Sequence, residues 1–105
     1  MDTKLLERHA EQFGALGHPA RLSILRHTVQ AGTDGISTTE LQEKLDIPWT
    51  TLNHHLTRLV HAGLLKGERD GKFVLHTADY AALKALTEFL WEDCCKRGKR
   101  PKSCC

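Results

Sequence analysis

All four cysteines of this 105-residue chain, Cys94, Cys95, Cys104 and Cys105, fall within its last twelve residues, and the 93 residues before them contain none. A disulfide framework spreads its cysteines through the fold that it staples, so a cluster confined to one end cannot hold such a scaffold together. Residues 1–93 must therefore bury a core of their own, and a chain with 40% apolar residues has material for one compact domain. Residues 94–105 remain as a basic, cysteine-rich tail with the character of an attached sensor.

The net charge of +2 hides an asymmetry. Lys96, Arg97, Lys99, Arg100 and Lys102 are five of the fifteen Lys and Arg residues, which leaves ten against thirteen acidic residues elsewhere, a balance of −3. A mildly acidic body can hold nucleic acid only through local clusters of positive charge, and such binding weakens with salt. The N-terminus, Met1-Asp2-Thr3-Lys4, is charged, and no apolar run approaches the roughly 20 residues of a membrane-spanning helix. These features predict a cytoplasmic protein with reduced thiols and no membrane partner.

Helical signals dominate the body. Leu5, Leu6, His9, Phe13 and Leu16 step by three and four along one helix that Gly14 and Gly17 end. Pro19 opens a second, about 19–30, in which Leu22, Leu25 and Val29 form the inward stripe. Ser37-Thr38-Thr39-Glu40 fits a capping box for a short third helix with Leu41 and Leu45 inward. Pro48 interrupts the chain after Ile47 and opens a fourth helix, about 48–62, stopped by Gly63.

In that fourth helix Leu52, Leu56, Leu59 and Val60 share a buried face, while Thr50, Thr51, Asn53, His54, Thr57 and Arg58 lie on the other. Hydroxyls, an amide, an imidazole and a guanidinium are groups that hydrogen-bond base edges and phosphates; an ordinary solvated face carries Glu and Lys pairs instead. Two short extended runs then flank Asp70-Gly71, a signal for a tight type I′ hairpin. Arg69 and Lys72 beside that turn are placed to reach the phosphate backbone. A fifth helix, with Tyr80, Leu83, Leu86, Phe89, Leu90 and Trp91, runs directly into Cys94 and Cys95.

The predicted fold is thus mainly α with a small β-hairpin: a winged helix-turn-helix framed by terminal helices. Nothing points to an enzyme, since the chain has no Gly-rich phosphate loop and no evident carboxylate pair, and Ser23, which lies near a histidine, sits in a structural-looking helix. Among the histidines, His54 is the functional candidate as a groove contact. His18, His27 and His61 read as structural or solvated, and His55 as packed beside Leu56 and Leu59. Trp49 reads as support for the start of the fourth helix, Trp91 as dimer core.

The stretches from Leu16 to Leu25 (LGHPARLSIL), from Leu52 to Leu65 (LNHHLTRLVHAGLL) and from Arg69 to Lys72 (RDGK) closely resemble the ArsR family of bacterial metal-responsive repressors, and the likeness covers nearly the whole chain. The resemblance implies a homodimer through the first and fifth helices that binds a palindromic operator and leaves it when an inducer binds. Leu5, Leu6 and Phe13 at one end and Leu83, Leu86, Leu90 and Trp91 at the other are more apolar surface than a three-helix reader fills by itself, which points the same way. Two-fold symmetry would set the two fourth helices about 34–36 Å apart, one turn of DNA.

The inducer is where the chain departs from many family members. The third helix, Thr39 to Leu45, carries no thiol pair, and the stretch from Asp79 to Asp93 has no histidine for an Asp/His zinc site. The tail resembles that of arsenic-responsive members, which implies arsenic(III), or antimony(III), bound by Cys94, Cys95 and a third thiolate from Cys104 or Cys105. Trivalent arsenic is soft and takes up to three thiolates in a pyramid. Adjacent helical cysteines diverge by about 100°, so Gly98 and Pro101 would have to turn the tail back. Zinc held by all four cysteines fits the two Cys-Cys doublets poorly, and a thiol redox switch is a further option. An arsenic-binding chaperone would use the same tail but would not need the Asn53, His54 and Arg58 face.

Overall fold

The computed structural model describes residues 2–103. Helix α1 (Thr3–Leu16) is capped by the Asp2 carboxylate, which accepts from the Lys4 amide. It leads into α2 (Pro19–Ala31), whose cap is the Nδ1 of His18 accepting from the Ala20 amide at 3.1 Å. A 3-10 turn (Gly32–Asp34) and a two-residue strand β1 (Ile36–Ser37) precede α3 (Thr38–Leu45). There the Ser37 hydroxyl accepts from the Glu40 amide at 3.0 Å, the first half of the expected capping box. Helix α4 (Trp49–His61), strands β2 (Leu65–Asp70) and β3 (Phe73–Ala78), and α5 (Tyr80–Trp91) complete the domain.

Leu52 and Leu59 of α4, Ile24 of α2, Leu41 of α3, Leu86 of α5 and Leu64, which lies between α4 and β2, are fully buried and form one cluster with Ala15, Leu25, Ile36, Leu56, Ala62 and Leu65. Each such leucine or isoleucine withdraws a side chain worth about 1.5–3 kcal/mol from water. The α4 surface therefore splits cleanly into a packed side and a solvent side, and that split aims the candidate reading residues outward.

Several expectations need correction. Strand β3 lies between β1 and β2, so the wing is a three-stranded antiparallel sheet, with Ile36 opposite His76 and Ser37 opposite Leu75. Asp70 pairs with Phe73, which makes Gly71 and Lys72 the loop residues instead of Asp70-Gly71. Of these two loop residues Gly71 alone has a positive φ, +61°, as in a type II′ turn and not in the type I′ turn expected. Helix α2 buries Ile24, Leu25 and Thr28 and leaves Leu22 and Val29 exposed, because its apolar residues lie on more than one side and packing against α4 selects among them. Val60, at the margin of the α4 apolar stripe, is 44% exposed. Gly14 lies inside α1 instead of ending it. Leu86 is buried in the chain's own core and so is not free to cover a partner, while Leu83 packs against that core and stays partly exposed.

Helix α5 ends at Trp91, short of the cysteines. Residues 94–98 instead follow a string of tight turns, with Cys94 N–H donating to Trp91 O at 2.9 Å, Lys96 N–H to Asp93 O at 3.1 Å and Gly98 N–H to Cys95 O at 3.3 Å. Asp93 and Cys95 adopt positive φ, +57° and +61°, which breaks the helical path.

Candidate nucleic-acid interface

The turn before α4 is fastened by two bonds to Gln42. Asp46 takes a left-handed conformation, φ 51° and ψ 52°, which its short polar side chain tolerates. Its amide donates to Gln42 O at 2.8 Å, and the Gln42 side-chain Nε2 donates to Ile47 O at 3.0 Å. With the turn closed this way, α4 starts after Pro48, and its first turn has no side-chain cap.

Thr50, Thr51, Asn53, His54, Thr57 and Arg58 are all exposed on α4, as expected, opposite the buried Leu52, His55, Leu56 and Leu59. The face has two edges. Arg58 lies on the α1 side, where a side-chain carbon at Gly14 would stand 3.8 Å from its Nη2. Asn53 and Thr57 border the wing across a groove of about 470 Å³ that Thr38, Leu56, Val60, His61, Val74 and His76 also line. Arg69, opposite Val74 on β2, and Lys72, in the loop, are exposed on the wing. The phosphate-seeking and base-seeking groups thus lie on elements that flank one groove.

Two buried histidines support this surface. The Arg21 guanidinium approaches His55 Nδ1 at 3.2 Å, and its Nε donates to the Ala15 carbonyl, so one side chain ties α1, α2 and α4 together. A guanidinium only donates, so His55 Nδ1 accepts and the ring is neutral. Burial first, then the nearby His18, Arg21 and His54, hold the His55 pKa below its usual value. The His18 and His55 rings lie 4.7 Å apart. On the wing, His76 contacts Thr38 Oγ1 through Nε2 at 2.8 Å, and burial lowers its pKa as well. Its Nδ1 has no hydrogen-bond partner among the described residues. Neither Thr38 nor His76 was singled out from the sequence. Strand alternation, which puts His76 on the inward side with Ala78, was the available signal.

At the far end of the chain Cys94 Sγ and Cys95 Sγ lie 3.4 Å apart, with Cys94 exposed and Cys95 half-buried. Among the described residues no group of three or more His, Cys, Asp or Glu is gathered closely enough to hold a metal ion. Cys104 and Cys105, the other two sulfurs of the expected site, lie outside the described residues. Among the described residues the structure thus brings the Cys94 and Cys95 thiols together.

Residues 16–68, which span α2 to β2, match the family described as a helix-turn-helix domain. Over 92 residues, 76% of this chain and 92% of the relative, the sequence is 34% identical to the uncharacterized HTH-type transcriptional regulator YbzH of Bacillus subtilis (strain 168). The chain belongs to the helix-turn-helix transcriptional regulators. Its fold is that of the ArsR-like transcriptional regulator from Rhodococcus sp. RHA1, at a TM-score of 0.73 and 21% identity over 86% of this chain and 82% of that one. The regulator is also similar to the homodimeric winged helix-turn-helix DNA-binding domain of Mb0332 from Mycobacterium bovis, a possible ArsR-family regulator. That likeness has a TM-score of 0.67 and 24% identity over 93% of this chain and 91% of the other. These relatives are regulators and not enzymes, in agreement with the reading of the sequence. Among the described residues no helix is long and apolar enough to cross a membrane.

Proposed function

We propose that the regulator is a repressor that binds a palindromic operator as a homodimer and releases it when arsenic(III) or antimony(III) is captured by Cys94, Cys95 and one of Cys104 and Cys105. The observation that carries this reading is the contact of the Cys94 and Cys95 sulfurs, 3.4 Å apart on a turn outside α5. In a helix the two thiols would diverge; on this turn they are close enough to share one soft ion, and a third thiolate would complete its shell. Leu5, Leu6 and Phe13 of α1 and Leu90 and Trp91 of α5 are exposed although the core is complete without them, which suits burial against a second copy. The homodimeric Mb0332 domain, of the same fold, supports that assembly.

Release then follows from linkage: the ion binds the DNA-free form more tightly, and a coupling of about 1–3 kcal/mol weakens operator binding by roughly five- to 150-fold. In a gel-shift assay on a two-fold symmetric fragment, under reducing conditions, arsenite is expected to free the wild-type protein. Cys95→Ser is expected to bind DNA normally and stay bound. If Cys95→Ser left the operator at the same arsenite concentration as wild type, the site would be wrong. The same two sulfurs favour one second reading, a thiol redox switch, which predicts release by peroxide without arsenic and recovery with dithiothreitol. A chaperone would bind the fragment weakly and without regard to sequence.

A further inference from the structure

Helix α4 closes with paired bonds that reuse its late carbonyls: Leu64 N–H donates to Leu59 O at 3.1 Å and Gly63 N–H to Val60 O at 2.9 Å. Gly63 supplies the positive φ, +79°, that this closure requires. The carbonyl of Ala62 falls outside the ladder. Gln12 of α1, only 4% exposed, takes it, with Nε2 donating to Ala62 O at 3.0 Å. The Gln12 Oε1 can only accept, so His9 Nδ1, 2.9 Å away and also buried, donates to it. The far side of the His9 network meets α5: the His9 and Phe89 rings lie with centroids 4.5 Å apart, tilted by 41°. Arg8 covers the same end of α4 so closely that a side-chain carbon at Gly63 would come within 2.5 Å of its Nη2.

Buried polar side chains cost free energy unless they are hydrogen-bonded, and a helix that merely covered a core would carry leucine at these two positions. His9 and Gln12 instead specify where α1 and the end of α4 meet. Phe89 stands five residues before Cys94. The chain of contacts therefore runs from the thiol end of α5 through α1 to the carboxyl end of the reading helix.

We propose that His9 and Gln12 are positioning residues that transmit displacement of the cysteine end of α5 to the C-terminal turn of α4, and so set the pose in which α4 meets DNA. The trigger rests on the thiol site proposed above; the connection itself does not. A shift of Phe89 moves the His9 ring, the Gln12 amide leaves Ala62 O, and the last turn of α4 loosens.

Two measurements on the full chain test this. Without ligand, hydrogen exchange at the amides of Ala62, Gly63 and Leu64 is expected to quicken at least about fivefold in Gln12→Met, which keeps the side-chain volume but cannot bond. The conservative Phe89→Leu change in α5 is expected to quicken the same amides, and adding it to Gln12→Met should give little further gain. Wild-type exchange at those amides in Phe89→Leu would overturn the proposal, even if Gln12→Met failed to fold. With arsenite, the ratio of operator dissociation constants with and without ligand is expected to fall at least about threefold in His9→Phe and Gln12→Met while arsenite affinity stays unchanged. A wild-type ratio in both variants would also overturn it. If the wild-type protein itself ignored arsenite, the thiol trigger would be wrong and the exchange data would still decide this inference.

Discussion

From Ser37 to Ala78 nearly every change of direction is fastened by an identifiable bond, whereas from Glu92 to Gly98 the chain runs through a series of short-range turns. In the first region Ser37 caps α3, Gln42 and Asp46 lock the turn, Gly63 closes α4 and β3 is paired on both edges. In the second, Asp93 and Cys95 sit in left-handed conformations that cost non-glycine residues roughly 1–2 kcal/mol each. The difference teaches that reading needs groups fixed before DNA arrives, while the ion capture proposed above would be served by a segment held through local turns.

That contrast can be broken or sharpened by substitution and by acid, from the largest effect to the smallest. Leu59→Ala opens the fully buried core under the reading face and is expected to cost about 2–5 kcal/mol in denaturant unfolding. The paired Cys94→Ser change is expected to leave the midpoint unaltered, and a comparable loss there would abolish the distinction. Asn53→Ala and Arg58→Ala should each weaken operator binding by about 1–3 kcal/mol in gel-shift titrations, with arsenite affinity intact.

Acid should act on the fixed region. His55 is held below the ordinary histidine value of 6.5 by burial and then by His18, Arg21 and His54, and His76 by burial. Above that value both rings are neutral whether the chain is folded or not. Below it the unfolded chain takes protons that the native state refuses, so stability is lost as pH falls toward the depressed native values. Melting temperature should be flat between about pH 8 and 7 and decline below about 6.5, with a shallower decline in His55→Gln. Lastly, Lys72→Ala should reduce the salt dependence of DNA binding by about one ion and change sequence preference little.

The reading face was legible because α4 carries one clean apolar period, so Thr50, Asn53 and His54 could only point outward. The stops were legible where one residue type forces a backbone state, as at Pro48 and Gly63. Helix α2 was not, since apolar residues on several of its sides leave periodicity without a preference. A two-residue strand such as Ile36–Ser37 has no period to read, and the shift of the hairpin loop by one residue left the local composition unchanged. The links of Gln12 to Ala62 and of Arg21 to His55 join residues 50 and 34 positions apart. Such bonds appear only once helices are packed. The thiol site was half visible: the doublet was evident, but its departure from the helix was not, because left-handed Asp93 and Cys95 break no compositional rule.

Strand β1 has a mechanical consequence. Because Ile36 and Ser37 stitch β3 to the residue that begins α3, the hairpin behaves as a handle welded to the reading helices and not as a hinged flap. On the proposed mechanism, inducer-driven release would change how the two readers are spaced or tilted, with loosening confined to the last turn of α4, and the footprint left by one protomer on its half of the operator should keep its outline on the wing side until the moment it lets go.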